Sequence, residues 1–167
     1  KNIPLMSTPQ LSSIFISRIQ NWLADRLAPK TSMHGVLMDI FGVGGYETFK
    51  MQVNILLNQS ESDFIYFAED DYVFLPNALE NSLKFMKENN FVDFLTVYDS
   101  SDLYNLDFHN YKSKIVTYNN LHWRTSSCTT LSFMTRKNVL SKTKWIFDTY
   151  SKHDNFDSSI WMSLTKI

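Results

Sequence analysis

A single cysteine, Cys128, stands among the 167 residues of this chain. One thiol excludes an intrachain disulfide and any Cys-cluster zinc site, and it fits a reducing compartment. No apolar run approaches the length of a membrane span. No signal peptide is evident, since Lys1-Asn2-Ile3-Pro4 is not followed by a compact apolar core and a cleavage site. Neither sign of charge dominates: 16 Lys+Arg face 17 Asp+Glu, a net charge of -1, which speaks against a general nucleic-acid binder. Repeats, low-complexity tracts and Pro/Gly/Ser-rich linkers are also missing. One domain over residues 1–167 is therefore expected.

What is present suits a packed fold. Hydrophobic residues make up 44% of the chain and aromatic residues 15%, which excludes a disordered polymer. The length is enough for a real core. Thr8-Pro9 reads as a helix start, a capping hydroxyl followed by proline. Leu11, Ile14, Phe15, Ile19, Trp22, Leu23 and Leu27 follow at helical spacing up to Pro29. Val36 to Phe41 reads as a strand broken by Gly42-Val43-Gly44-Gly45, and a helix is expected from about Tyr46 to Leu57. Glycines before a helix can bring backbone N–H groups to phosphate, but this loop matches neither standard nucleotide-binding glycine pattern.

The most informative stretch is Phe64-Ile65-Tyr66-Phe67-Ala68-Glu69-Asp70-Asp71-Tyr72. An aromatic, apolar strand ends in three consecutive carboxylates. Unpaired, they are too costly to bury, so they must reach water, a cation or basic groups. In open α/β sheets, ligands bind at the carboxyl ends of strands. In an extended chain Glu69 and Asp71 point to one side and Asp70 to the other. Two acids on one side suit a hard divalent cation that also holds a phosphate-bearing substrate. A solvated acidic turn is the plain alternative.

Pro76 is placed as a first helical residue. The helix carries Ala78, Leu79, Leu83, Phe85 and Met86 towards a core and ends near Asn89-Asn90. A second apolar run, Phe91 to Tyr98, then exits into Asp99, Ser100, Ser101 and Asp102. The pattern fits a right-handed βαβ unit with a polar rim. Asn105 to Asn110 reads as a loop. Ile115 to Tyr118, Asn119-Asn120 and Leu121 to Trp123 read as a hairpin with a two-residue turn. Leu131 to Thr135 is a further strand, and Lys137 to Tyr150 and about Asp154 to Thr165 are helices.

The segment FIYFAEDDYVFLPNALE resembles the metal-binding segment of GT-A-fold glycosyltransferases, more narrowly the bacterial and viral family-2-like enzymes with an EDDY motif. Leu95-Thr96-Val97-Tyr98-Asp99 with Asp102 and Tyr104, and then His122 to Phe133, are similar to later segments of that family. The resemblance runs from about Val36 to Leu164. It implies an α/β GT-A fold, a mixed sheet flanked by helices and shortened at its N-terminus. It also implies metal-dependent, inverting transfer of a sugar from a nucleotide-diphospho-sugar donor to a saccharide or other hydroxyl acceptor, in polysaccharide biosynthesis. The implied location is cytoplasmic, free or peripheral to a membrane.

The resemblance further implies roles for single residues. Asp71 is the metal ligand, with Glu69 beside it, for Mn²⁺ or Mg²⁺. Glu69 and Asp70 contact nucleotide or sugar. Asp157, matched through Trp161, is the general base, although Phe156 stands where the family has a preceding acid. Arg124 holds the diphosphate or orients an acid, and Trp123 stacks on a sugar ring or sits in the core. His122 and His153 are candidates to complete the metal shell, or plain surface histidines. Cys128 lacks a nearby base and reads as a small buried residue. Two rival readings use the same acids or the same fold: a metal-dependent nucleotidyltransferase or phosphodiesterase, and a non-catalytic sugar-binding module.

Overall fold

The computed structural model describes residues 12–15, 34–37, 45–68, 72–152 and 156–165. Its centre is a five-stranded mixed sheet. In chain order the strands are β1 (Ser12–Phe15), β2 (His34–Leu37), β3 (Phe64–Ala68), β4 (Phe94–Thr96) and, after a hairpin of β5 (Ile115–Tyr118) and β6 (Leu121–Arg124), β7 (Phe133–Arg136). The spatial order is β2-β1-β3-β7-β4. β1 pairs in parallel with β2 and β3, while β7 runs antiparallel to both β3 and β4. β3 and β4 therefore run the same way with β7 between them. Their carboxyl ends open onto one edge, where β7 begins.

The described helices are α1 (Gly45–Asn58), α2 (Ala78–Glu88), a short α3 (Asp102–Asn105), α4 (Lys137–Tyr150) and α5 (Phe156–Thr165). Side chains on a strand alternate between faces, and the core follows that rule. Ile65 and Phe67 of β3 and Phe133 of β7 pack with Phe49, Val53 and Leu56 of α1, Phe147 of α4, and Ile160 and Trp161 of α5. Tyr66, Leu95 and Met134 point the other way, onto Ala78, Leu79, Leu83, Phe85 and Met86 of α2. The hairpin joins that second layer through Val116, Tyr118 and Trp123. Its turn residues, Asn119 and Asn120, have φ of 47° and 60°. Positive φ at both central positions is what a two-residue hairpin turn with the correct twist requires.

Several expectations are met closely, among them α1, the hairpin, α4 and the general α/β class, while the strand expected at Val36–Phe41 is β2 over His34–Leu37, with 38–44 outside the described residues. Three others differ. The helix expected from Thr8 is instead a strand over Ser12–Phe15, and the rest of that segment lies outside the described residues. Two neighbours satisfy the backbone of β1, and that non-local pairing overrides the helical spacing of its apolar residues. Second, α2 begins at Ala78, not at Pro76. Leu75 C=O accepts from Ala78 N–H at 3.2 Å, and Asn77 has φ 60° and ψ 19°. Pro76 and Asn77 thus form the centre of a type II turn, proline at its preferred position and asparagine in the left-handed one. Third, the expected loop at 105–110 carries the end of α3 and a single 3₁₀ turn, Asp107–His109.

Candidate functional site at the carboxyl edge of the sheet

A cleft of about 350 Å³ opens at the carboxyl edge. It is lined by Tyr72 to Leu75, which follow β3; by Val97 to Ser100, which follow β4; and by Ser132, which precedes β7. Two parallel strands and one antiparallel return deliver these three segments to one place. The Tyr72 and Tyr98 rings meet edge to face at 5.8 Å. Asp99 supplies the carboxylate of the lining. The Tyr104 hydroxyl donates to Asp99 Oδ1 at 2.6 Å. The Arg124 guanidinium lies over the Tyr104 ring at 4.6 Å, and its Nη2 donates to the Leu103 carbonyl at 3.0 Å. Arg124 is thus tied to α3, and through Tyr104 it helps to orient the acid in the cleft.

Glu69, Asp70 and Asp71 lie outside the described residues, as does His153. The segment that follows these acids, from Tyr72 onward, is a wall of the cleft. Among the described residues, no group of three or more His, Cys, Asp or Glu side chains is placed to hold a metal ion. Trp123 stacks on Phe85 of α2 at 4.4 Å and belongs to the second core layer. The hairpin residues His122, Trp123 and Arg124 do not line the cleft, and His122 is exposed.

Asp157, in the first turn of α5, receives five hydrogen bonds. Thr129 gives two, from N–H to Oδ2 at 3.0 Å and from Oγ1 to Oδ1 at 2.8 Å. The N–H groups of Thr130 and Leu131 add 3.1 and 3.2 Å. Trp161 Nε1, one helical turn on, donates to Oδ1 at 2.7 Å. The turn so held is unusual: Thr130 and Leu131 have φ of 45° and 58°. Consecutive non-glycine residues in the left-handed region each cost about 1–2 kcal/mol. Cys128 sits beside them. Burial, and then the Asp157 charge, push its thiol up to about 12, so it is no nucleophile near neutral pH.

At the start of α3, Asp102 is held below the ordinary carboxylate range, chiefly by a hydrogen bond from the Ser100 hydroxyl. His109 lies between Asp102 Oδ2, at 3.9 Å, and Ser127 Oγ, at 3.4 Å. Ser132, Tyr72 and Tyr98 are the site residues that sequence reasoning passed over. Tyr98 was within reach as the neighbour of Asp99. Ser132 has no local signal, because only the antiparallel return of β7 brings it to the edge.

No protein-family model matches this chain, and no solved structure matches it. Curated proteins do match, over short stretches. Over 42 residues the chain is 57% identical to the HPr kinase/phosphorylase of Geobacter sulfurreducens, covering 25% of this chain and 13% of that protein. Against that of an Exiguobacterium species it is 54% identical over 43 residues, 26% of this chain and 14% of the relative. Against that of Bacillus velezensis it is 45% identical over 51 residues, 30% and 16%. The chain thus aligns with only 13 to 16% of the length of these relatives.

These names overturn the glycosyltransferase reading. With it go the sugar-transferase class, the nucleotide-sugar donor, the saccharide acceptor and the link to polysaccharide synthesis. The physical reason is plain. A strand ending in acids suits any chemistry on a metal-bound phosphate, so the acidic run carries no information about a sugar. No described helix is long and apolar enough to cross a membrane.

Proposed function

We propose that this chain takes part in metal-dependent phosphoryl transfer of the kinase/phosphorylase kind, with the carboxyl-edge cleft as its site. The short matches of 45 to 57% identity to proteins named HPr kinase/phosphorylase carry this reading. The cleft supports it, because its first wall begins directly after the three acids. None of the four glycines is followed by Lys, so a Walker-type loop does not cradle the phosphates in this chain. Carboxylates holding Mg²⁺ or Mn²⁺ are the alternative grip, and an all-oxygen donor set suits either ion. Asp71 and Glu69 are the proposed ligands, and Asp70 is a proposed substrate contact. A metal held by these carboxylates would supply charge neutralisation to the transferring phosphoryl group.

The chain's own residues supply the rest. Asp99 is the proposed general base towards an attacking hydroxyl. It lines the cleft, and one of its oxygens is steadied by Tyr104. Arg124 supports Tyr104 and thereby Asp99. Asp157 has its oxygens committed to five donors, a setting for positioning more than for proton abstraction. Tyr72 and Tyr98 form an aromatic wall that excludes water from one side of the donor.

The test uses the chain with a nucleoside triphosphate labelled on its terminal phosphate, Mg²⁺, and HPr as acceptor. Donor binding is read by calorimetry and transfer by label on the acceptor. Mg²⁺-dependent binding and transfer are expected. Asp99→Asn should leave donor binding intact and slow transfer by about 10²–10⁴-fold, the usual loss for a general base. Absence of both nucleotide binding and transfer with Mg²⁺ present would overturn the reading.

A further inference from the structure

The Asp157 carboxylate reaches the cleft through an unbroken series of hydrogen bonds. It gathers the N–H groups of Thr129, Thr130 and Leu131. The turn closes with Ser132 N–H donating to the Thr129 carbonyl at 3.0 Å. The Ser132 carbonyl accepts from Thr96 Oγ1 at 2.6 Å, and Thr96 Oγ1 accepts from Tyr98 N–H at 3.0 Å. Ser132 and Tyr98 are both cleft residues. Thr129, Ser132 and Trp161 are all buried.

Three successive N–H groups aimed at one anion make a nest that favours negative charge. The left-handed turn at Thr130 and Leu131 is unfavourable on its own, and this charge-assisted set offsets its cost. An apolar residue at position 157 leaves those part-buried donors unpaired. The chain then gains by releasing the turn.

We propose that Asp157 is a positioning residue: it latches the 129–131 turn, and through Ser132 and Thr96 it sets the cleft wall that carries Tyr98. The latch is independent of what the cleft binds. It is read out at Cys128, which is the only thiol in the chain and flanks the turn.

The experiment measures thiol labelling of Cys128 in the folded chain, with far-UV circular dichroism to establish folding. Thr129→Val and Trp161→Phe each remove one donor and keep the Asp157 charge. Each should speed labelling by about five-fold, the effect of one lost hydrogen bond on the open population. Asp157→Ala should speed it on the order of 10²-fold, because several charge-assisted bonds are lost together. Added formate should slow labelling of Asp157→Ala in a saturable manner, by occupying the nest, while chloride at equal ionic strength should not. A fluorotyrosine placed at position 98 should show a shifted ¹⁹F resonance in Asp157→Ala that formate reverses.

Wild-type labelling rates in both Thr129→Val and Trp161→Phe would overturn the latch, even if Asp157→Ala fails to fold. Faster labelling with an unmoved resonance at position 98 would overturn the link to the cleft. A failure of phosphoryl transfer alters none of these readouts.

Discussion

The two faces of the central sheet are built to different standards. On one, Phe133 is fully buried and stacks on Phe67 at 4.4 Å, with Trp161 at 4.9 Å and Phe147 at 5.9 Å around it. That layer is aromatic, and its one indole N–H has a partner in Asp157. The other face holds Tyr66 and Trp123, whose hydroxyl and Nε1 are buried with no hydrogen-bond partner among the described residues. Burial also raises the Tyr66 phenol, so it stays protonated. Buried polar atoms without partners are rare in native proteins, and each needs an explanation. Here both belong to the layer that borders the cleft, to which Phe74 and Val97 also contribute. The first face pairs its buried indole N–H, while the second carries two polar atoms without a partner among the described residues, beside the cleft.

The contrast can be broken or sharpened by substitution. The largest effect is expected from Phe133→Ala. Emptying a fully packed aromatic position costs about 3–5 kcal/mol, measured by denaturant unfolding. A loss below about 1.5 kcal/mol, as in a tolerated repacking, would show that the layer is less tightly built than its ring geometry indicates.

Next comes Arg136, which closes the second face at the far edge. Its guanidinium donates to the carbonyls of Val92, at 2.8 Å, and of Met86, and it lies 5.6 Å from the Phe64 ring centre. Arg136→Ala should cost about 1.5–3 kcal/mol, the range for hydrogen bonds from a charged donor. Because Arg136 sits opposite the carboxyl edge, donor binding should not change. A fall in donor affinity at unchanged stability would contradict that separation.

Tyr66→Phe should have the smallest effect on folding. Removing an unpartnered hydroxyl is expected to change stability by no more than about 0.5 kcal/mol, and towards gain. A loss above about 1 kcal/mol would show that the hydroxyl has a partner, and the contrast between the faces would narrow.

Much of the fold was legible locally. Asn119-Asn120 announces its hairpin because few other residues accept positive φ twice in succession. The buried set of α2 follows from its helical spacing, and Ser82 joins it only because its hydroxyl finds the Ala78 carbonyl at 3.1 Å. β1 was not legible, since its apolar residues fit a helix and only β2 and β3 make it a strand. The site was less legible still. Asp157 and Trp161 are spaced i, i+4, so their mutual bond could have been anticipated. The other donors to Asp157 lie 26 to 28 residues upstream, and no local pattern joins them to it. The acidic run, read as an oxygen-rich strand exit, lies outside the described residues. Its assignment to sugar transfer rested on resemblance and did not survive comparison.

One measurement bears most directly on the proposed chemistry at the carboxyl edge: ³¹P resonances of a nucleoside triphosphate titrated with the chain, with and without Mg²⁺. For the wild-type chain, Mg²⁺-dependent shifts of the terminal phosphates are expected. Asp71→Asn should abolish them while the far-UV spectrum stays unchanged. Identical shifts in Asp71→Asn and wild type, or shifts indifferent to Mg²⁺, would contradict a carboxylate-held metal as the phosphate grip.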